Sequence, residues 1–287
     1  MEDPSVRFMH SAPADGIYSC TRGGSALVLS IPHSGRRVPG PIAARMTAAA
    51  RELPDTDWRV DELYDFALGL GATAVRANYS RYVVDLNRPP DGAPLYPGHA
   101  ATGLCPAALF DGRAVYSPGR EPNDAEIERR RMKYWQPYHD RLEAELERVR
   151  GQHGKAVLYD CHSIAPVVPR LFAGRLPAMN LGTNRGRSCA RALQERVVAV
   201  LAGSGYEFAV NGRFIGGFIT RRYGQPGRDL HALQMEIAQD TYMAGAAPET
   251  YSRSRAARLR SSLRQILEVV LEWADSLQSA NSNRGET

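Results

Sequence analysis

Two histidines and one glutamate lie at the ends of apolar segments or within them, where a parallel sheet would bring polar groups together. His33 follows the run ALVLSI, His162 follows KAVLYD, and Glu236 lies within HALQMEIA. In open α/β sheets, ligands bind outside the carboxyl ends of the strands. Each of these residues alone is more often structural, but two imidazoles and a carboxylate together can bind zinc and activate water.

A hydrolytic zinc site needs about three protein ligands and one open position, so the two histidines need an acidic partner. We predict Asp57, in the segment DTDW, as the third ligand beside His33 and His162, with Asp55 or Asp61 as substitutes. The alternative role for Asp57 is a helix N-cap, because aspartate is among the best capping residues.

Further polar residues are expected to support the ligands or to hold a substrate. Asp160 precedes His162 by two residues, so it should face the same site or orient an imidazole by accepting a hydrogen bond. In the segment DLNR, strand alternation places Asp85 beside Asn87, and Asp85 is likewise predicted to support the site. Arg88 can bind a carboxylate through two parallel hydrogen bonds, although a surface ion pair is the alternative.

Several arginines lie in loops flanked by glycine or proline and could bind a second carboxylate. Any one of them is more often a surface residue, but we expect at least one to reach the substrate. The predicted candidates are Arg170 in VPRLF, Arg185 in LGTNRG, and Arg222, which follows Arg221 in GGFITRRYG.

Composition and the absence of other motifs exclude several classes of protein. The 287 residues carry a net charge of +5 from 36 basic and 31 acidic side chains that are largely interspersed. The densest basic stretch, residues 253–264, lies on a predicted amphipathic helix, so a solvated face is favoured over a nucleic-acid surface.

The sequence contains no GxSxG, HExxH, Walker loop or GxGxxG. Cys161 beside His162 is expected to be a core residue, because neighbours in a strand point to opposite faces.

The same features predict a cytoplasmic protein that contacts neither membrane nor nucleic acid. No apolar run approaches the roughly 18 residues of a membrane span. The start of the chain lacks the basic and apolar regions of a secretory signal. The four cysteines form no CxxC pair and are too sparse for a disulfide scaffold. Oligomeric state is left open.

Apolar periodicity predicts strands that alternate with helices, and therefore an α/β fold with a central mixed sheet between two layers of helices. Gly71 should end the first helix, Pro137 should kink or divide the second, and residues 92–120 should form a long ordered loop. The predicted helices cover residues 57–70, 121–150 and about 188–201, with one more at the C-terminus. The predicted strands cover residues 26–31, 73–77, 81–86, 155–159, 208–210, 214–220 and 232–237.

The absence of an internal repeat or a linker predicts one domain over residues 1–287. Residues 1 to about 24 should form an N-terminal arm, and residues from about 278 to 287 a frayed tail.

Taken together, the motifs resemble those of the N-formylglutamate amidohydrolase family from about residue 27 to residue 243. The DLNR segment is also similar to the carboxylate-binding motif of aspartoacylases. The motifs that carry the resemblance are IPHSG (31–35), LPDTDW (53–58), SRYVVDLNRP (80–89), TGLCP (102–106), YWQPYH (134–139), DCHS (160–163), VPRLF (168–172), LPAMNLGTN (176–184) and NGRFIGGFITRRYGQP (211–226).

The resemblance implies a three-layer α/β/α fold of the zinc carboxypeptidase-like hydrolases. It implies that His33 and His162 bind zinc, that Asn87 and Arg88 hold the substrate carboxylate, and that Glu236 is the general base. Zinc carboxypeptidases take two ligands from an HxxE motif, whereas this sequence has His-Ser-Gly-Arg at 33–36. The acidic ligand must therefore come from elsewhere, which leaves Asp57 as a hypothesis.

The expected function is zinc-dependent hydrolysis of N-formyl-L-glutamate to L-glutamate and formate, at the end of a histidine-degradation route. The expected substrate is a small dicarboxylate amide, and another divalent metal could replace zinc. The alternatives are the same chemistry on another N-acyl amino acid or small peptide, or a non-catalytic module that binds anions or nucleic acid.

Overall fold

The protein is built around a seven-stranded sheet. The structure, a computed structural model, describes residues 16–93, 102–245, 247 and 250–282. The strands are β1 (Tyr18–Thr21), β2 (Leu27–Ile31), β3 (Thr73–Ala77), β4 (Ala156–Ile164), β5 (Met179–Gly182), β6 (Phe208–Val210) and β7 (Leu230–Ala238). Their spatial order is β1-β3-β2-β4-β7-β5-β6. The pairs β1–β3 and β5–β7 are antiparallel and the other four are parallel, which confirms the predicted mixed sheet.

Helices cover both faces of the sheet. They are α1 (Gly40–Ala43), α2 (Ala48–Arg51), α3 (Val60–Leu63), α4 (Asp124–Arg130), α5 (Gln136–His153), α6 (Arg191–Gly203), α7 (Phe218–Tyr223) and α8 (Arg253–Ser282). The strand registers place Ser30 and His231 on opposite faces. Tyr138 of α5 lies 3.0 Å from Ser30 (Oη to Oγ), whereas Trp273 of α8 packs edge-on against His231. The sheet therefore lies between two helical layers, as predicted.

The central strands β4 and β7 are buried along all nine of their residues. They pair over their whole length, so His162 lies beside Glu236 and Asp160 beside Gln234. Strands that are buried on both faces are typical of the parallel part of a sheet. This pairing brings polar side chains from two distant segments onto one face.

The predicted strand over residues 81–86 is wrong, because this segment forms buried turns. The Val83 amide donates to the Ser80 carbonyl, and the Arg81 guanidinium closes the turn through a 2.8 Å bond to Asp85. All six residues of the segment are buried. An apolar run that is buried in a turn has the same pattern as a short strand, so periodicity could not separate the two.

The predicted strand over residues 214–220 is also wrong. Residues 214–217 form a loop, and α7 begins directly after it. Gly216 has a φ of 108°, a left-handed conformation that favours glycine and ends any extended run. This turn directs the chain towards the carboxyl edge of the sheet.

The predicted helices are present, but two of them are divided into shorter helical segments. Residues 57–70 contain α3 and a 3₁₀ helix (Asp65–Leu70), and Gly71 in the left-handed region ends the segment as predicted. Residues 121–150 contain α4, a π-helical turn (Arg131–Trp135) and α5, so the helix is divided directly before Pro137.

The strands β1 and β5, of four residues each, were not predicted. β1 lies within the predicted N-terminal arm, and α8 continues into the predicted tail as far as Ser282. Residues 1–15 and 283–287 lie outside the described residues, as do residues 94–101 of the predicted loop. Among the helices that the structure describes, none combines the length and apolar character that crossing a membrane requires.

Candidate metal centre and substrate cavity

A cavity of about 70 Å³ lies at the carboxyl ends of β4 and β7. Its wall contains most of the residues that the sequence predicted for the site, although they come from five separate segments. The predicted residues in the wall are His33, Asp57, Asn87, Arg88, His162 and Glu236.

The three predicted metal ligands form one buried group. The ligand atoms of His33, Asp57 and His162 all lie within 4.8 Å of one another. Asp57 Oδ2 is 3.1 Å from His162 Nδ1 and 3.8 Å from His33 Nδ1. Both imidazoles therefore turn the same ring nitrogen towards one carboxylate.

Asp57 is held in this position by backbone contacts at both sides. Its own amide donates to the His33 carbonyl, and its Oδ2 accepts a 3.1 Å bond from the Ser163 amide. It does not cap a helix, because the N-cap position of α3 is Arg59 and no side chain caps that end. The substitutes lie elsewhere: Asp55 accepts from the Phe110 amide, and Asp61 pairs with Arg76.

The second nitrogen of each imidazole contacts a buried aspartate. His33 Nε2 donates to Asp85 Oδ1 over 2.8 Å, and His162 Nε2 lies 3.0 Å from Asp160 Oδ2. A carboxylate that accepts from one nitrogen fixes the tautomer and leaves the other nitrogen basic, as in carboxylate–histidine–zinc arrangements. Asp85 and Asp160 thus lie behind the histidines, where support for a metal ligand would be needed. We call these five residues the polar centre.

Buried charges around the polar centre shift the pKa of each histidine in a different direction. Burial lowers the pKa of His33, and the positive charge of Arg81 adds to this effect. Burial also acts against the charged form of His162, but Asp160 and Asp57 more than offset it, so its pKa lies well above the usual value. Two nearby carboxylates therefore make His162 the stronger base of the pair.

Glu236 lies beside the polar centre on the central strands. Its neighbour in the β4–β7 register is His162, so the two side chains are on one face of the sheet. Gln234 Nε2 donates to Glu236 Oε2 over 3.4 Å. Burial raises the pKa of Glu236 to about 8.

The DLNR segment is fixed by residues of the π-helical turn and α5. Trp135 Nε1 donates to the Arg88 carbonyl over 3.0 Å, and His139 Nε2 donates to the Leu86 carbonyl over 2.8 Å. These two bonds hold the backbone on both sides of Asn87. The YWQPYH motif contributes to the site through these two side chains.

Asn87 and Arg88 have different surroundings within the cavity. Asn87 Nδ2 lies 3.0 Å from His162 Nε2, and Asn87 Oδ1 accepts from the Ile219 amide over 2.8 Å. Arg88 donates from Nη2 to Thr102 Oγ1 over 2.9 Å and from Nε to the Thr102 carbonyl over 3.0 Å. Asn87 is therefore part of the support for the polar centre, whereas Arg88 places a fixed guanidinium in the cavity wall.

Gly217 is required for this packing. A Cβ atom at this position would lie 2.3 Å from Asn87 Nδ2 and 2.5 Å from Asn87 Oδ1. Any larger residue would displace the amide from the histidine that it contacts.

A second, smaller hydrophobic cluster borders the cavity and includes the last residue of β4. Its buried members are Ile164, Val168, Phe172 and Leu176, and Phe110, Leu171 and Phe214 pack against them. We call these seven residues the outer apolar cluster. Four of its members also line the cavity: Phe110, Ile164, Leu171 and Phe214. The cavity thus has a charged inner wall and an apolar outer wall.

Comparison with known proteins decides the family. The family model described as N-formylglutamate amidohydrolase matches residues 25–243. The chain belongs to the N-formylglutamate amidohydrolase family. Two relatives named N-formylglutamate deformylase support this, and each match covers 260 residues, 90% of this chain and 97% of the relative. The relative from Pseudomonas putida is 46% identical and that from Pseudomonas aeruginosa is 49% identical.

Two solved structures agree with the fold, and one of them also agrees with the family. A crystal structure of N-formylglutamate amidohydrolase from Ralstonia eutropha JMP134 has a TM-score of 0.75 at 25% identity, covering 92% of this chain and 98% of that chain. A gene product from Agrobacterium tumefaciens has a TM-score of 0.66 at 21% identity, covering 90% and 98%, and supports the fold alone. The predicted family and α/β fold are both confirmed.

The three loop arginines predicted to bind a second carboxylate do not line the cavity of this family member. Arg170 donates to the Leu109 carbonyl over 3.4 Å, near the outer apolar cluster. Arg185 is exposed in the loop after β5, and Arg222 is half-exposed opposite Glu143. Arg222 lies in α7 and not in a loop. Flanking glycine and proline therefore did not establish a loop at every position, and they do not indicate which way a side chain points.

Two other arginines line the cavity and were not among the predicted site residues. Arg81 is buried and pairs with Asp85 at 2.8 Å and with Asp57 at 3.6 Å. Arg213 reaches the cavity from the loop between β6 and α7. Both lie in motifs that carried the family resemblance, so the motifs were the available signal.

Proposed function

We propose that this protein hydrolyses N-formyl-L-glutamate to L-glutamate and formate, with zinc or another divalent metal held by His33, Asp57 and His162. The observation that carries the proposal is the buried His–Asp–His group in the wall of a cavity. Membership of the N-formylglutamate amidohydrolase family and the names of the two Pseudomonas relatives support the substrate.

The residues present fit a metal ion. Two imidazole nitrogens and a carboxylate are a ligand set that zinc accepts, and Asp85 and Asp160 fix the orientation of both histidines. Asp57 Oδ1 is a buried oxygen without a hydrogen-bond partner among the described residues, although Arg81 Nη1 lies 3.6 Å away. When bound, zinc would supply a Lewis acid that polarises the formyl carbonyl and acidifies the attacking water.

Glu236 would act as the general base and then as the general acid. Its carboxylate lines the cavity beside His162 and would take a proton from the attacking water. The same carboxyl group would return that proton to the nitrogen of the departing amine, because the cleaved C–N bond leaves an amine that must be protonated. The products are then free L-glutamate and formate.

Arg88 would bind the carboxylate next to the amide that is cleaved. Its contacts with Thr102 fix the guanidinium, and a fixed guanidinium binds a carboxylate with less loss of side-chain freedom. Asn87 precedes Arg88 and contacts His162 through its side-chain amide, so it would keep the Arg88 guanidinium at a constant distance from His162. The cytoplasmic location remains part of this proposal, and the free thiols of all four cysteines are consistent with it.

The test is the release of glutamate and formate from N-formyl-L-glutamate by purified protein before chelation, after chelation and after addition of zinc. We expect turnover that is lost on chelation and restored by zinc. Turnover that is unaffected by complete metal removal would overturn the metal role. No release from metal-replete protein would overturn the substrate and favour another N-acyl amino acid.

A further inference from the structure

The central strands present three successive pairs of side chains on the face that carries the polar centre, because alternate residues of a strand point to the same face. In order towards the carboxyl ends of β4 and β7, the pairs are Asp160–Gln234, His162–Glu236 and Ile164–Ala238. Successive pairs are about 7 Å apart, since a strand rises about 3.3 Å per residue. The face therefore changes from polar to apolar over a distance comparable to a small substrate.

The first of these pairs borders the DLNR segment. Asn87 Nδ2 donates to Asp160 Oδ2 over 3.4 Å, and Gln234 Oε1 accepts from the Gly217 amide over 2.6 Å. Arg88 directly follows Asn87 in the chain and lies in the cavity wall. The carboxylate that Arg88 would bind in the proposed function therefore belongs to this end of the row.

Two apolar side chains, Phe110 and Ile164, border the other end of the row. Both line the cavity and both belong to the outer apolar cluster. The centre of the Phe110 ring lies 4.7 Å from the guanidinium carbon of Arg81, and Arg81 Nη1 lies 3.6 Å from Asp57 Oδ1. The Phe110 amide donates to Asp55 Oδ2 over 2.8 Å, which fixes the turn that carries the ring. The ring is thus held next to the polar centre.

We propose that Phe110, together with Ile164, limits the acyl group of the substrate to formyl. This inference rests on the proposed function, which has an N-acyl amino acid cleaved between His162 and Glu236. With the carboxylate at Arg88 and the cleaved carbonyl at the middle pair, the acyl substituent points away from Arg88, towards Phe110 and Ile164.

The acyl substituent is where a formyl and an acetyl group differ. In a formyl group it is a hydrogen atom, and in an acetyl group it is a methyl group. Packed apolar side chains resist an added methyl group, because their rotamers or the backbone must shift to admit it. Phe110 and Ile164 would therefore admit the hydrogen and exclude the methyl group.

The experiment compares N-formyl-L-glutamate with N-acetyl-L-glutamate, which differ by one methylene unit. The measured quantity is kcat/KM for the acetyl substrate divided by kcat/KM for the formyl substrate. Phe110→Ala should raise this ratio about 10- to 100-fold over the wild type, because one methylene unit contributes selection of about this size in an apolar pocket. Comparing the ratio between proteins cancels the different intrinsic reactivity of the two amides.

Inhibition of N-formyl-L-glutamate hydrolysis by N-acetyl-L-glutamate measures binding even where acetate release is slow. The inhibition constant should be about tenfold lower for Phe110→Ala than for the wild type. Phe110→Leu and Ile164→Val remove fewer atoms and should shift both quantities in the same direction by a smaller factor. These two variants keep the test decisive if Phe110→Ala fails to fold.

Phe214→Ala is the matched control. Phe214 is also a half-buried ring of the outer apolar cluster in the cavity wall, but it packs against Phe172, with 6.2 Å between the ring centres, and against Arg213. It should change kcat/KM for both substrates by the same factor. A rise in the ratio equal to that of Phe110→Ala would overturn the inference, because loosened packing anywhere in the cluster would then suffice.

The outcomes separate this inference from the proposed function. If the metal-replete wild type hydrolyses neither substrate, the proposed function is overturned and the role of Phe110 with it. If the wild type hydrolyses both substrates equally well, the reaction stands and the limit on acyl size is overturned. If the wild type prefers the formyl substrate and Phe110→Ala changes neither the ratio nor the inhibition constant, only the assignment of Phe110 is overturned.

Discussion

The two walls of the cavity are built in different ways. The polar centre lies on the ends of long central strands and on segments that are hydrogen-bonded to them, and its five side chains are all buried. Apart from Ile164 at the end of β4, the outer apolar cluster lies on loops, and it is separate from the main core. Bond cleavage needs fixed distances between reacting groups, which a sheet supplies, whereas substrate selection needs a surface that loops can vary. Variants in each wall should therefore change different kinetic constants.

The largest expected effect comes from the inner wall at Glu236. Glu236→Gln keeps the shape but removes the proton acceptor, so kcat for N-formyl-L-glutamate should fall about 10²- to 10⁴-fold. Metal content should remain that of the wild type, because the carboxylate is not one of the three grouped ligands. Rates of formate release and metal analysis test this. The control is Glu195→Gln on the exposed surface of α6, and a Glu236 variant with more than a tenth of wild-type kcat would contradict the role.

The next largest effect concerns the support behind a histidine. Asp160→Asn replaces the carboxylate that lies 3.0 Å from His162 Nε2 with a neutral amide, so metal affinity should fall about 10- to 100-fold. Competition with a chromophoric chelator measures this affinity directly. Asp111→Asn, a change of the same kind at an exposed position, should have no effect. Unchanged affinity in Asp160→Asn would show that this contact does not support a metal ligand.

A smaller effect is expected at the outer wall. Phe172→Ala removes a buried ring from the outer apolar cluster, and KM for N-formyl-L-glutamate should rise about tenfold with little change in kcat, because only binding is affected. Leu233→Ala in the main core is the contrast, since it should lower the free energy of unfolding by about 2–5 kcal/mol. Steady-state kinetics and urea unfolding test the pair. If Phe172→Ala lowered kcat without changing KM, the outer wall would not act through substrate binding alone, and the two walls would not differ in this way.

The smallest effect concerns the stability of the helical support under the inner wall. Burial lowers the pKa of His139 to about 3, against about 6.5 in an unfolded chain. The unfolded state therefore binds more protons between these values, so this residue contributes stability above pH 6.5 that is lost as the pH falls towards 3. The contribution changes by about 1.4 kcal/mol per pH unit within that window.

His139→Gln tests this slope, because glutamine does not titrate. Between pH 6 and pH 5, the free energy of unfolding of the variant should fall by about 1.4 kcal/mol less than that of the wild type. Urea unfolding at several pH values measures the difference. Identical slopes for the two proteins would mean that His139 is charged in the folded state.

Much of the inner wall could be predicted from the sequence. His33, His162 and Glu236 follow or lie within apolar segments, and the strand signals of β2, β4 and β7 were strong because these strands are fully buried. Because ligands bind outside the carboxyl ends of the strands in open α/β sheets, the three side chains were expected at that edge of the sheet. The sequence did not distinguish a metal ligand from a helix N-cap at Asp57, because aspartate before a helical segment fits both roles.

The outer wall could not be predicted in the same way. Arg213 and the three predicted loop arginines have similar local sequences, yet only Arg213 lines the cavity. Its position depends on the left-handed turn at Gly216 and on a bond to Leu171, which is 42 residues away along the chain. Residues 81–86 illustrate the same limit, since their apolar pattern reflects burial of a turn.

The sequence by itself determined the family, the α/β class and the residue types able to hold a metal. These depend on local patterns: short buried strands, helical periodicity and motifs whose residues lie close together. The tertiary structure alone decided that Asp57 faces both histidines, that Asp85 and Asp160 lie behind them, and that Arg213 reaches the cavity. Those relations join segments that lie far apart in the chain, and the direction of a loop side chain is set by the packing of its distant neighbours.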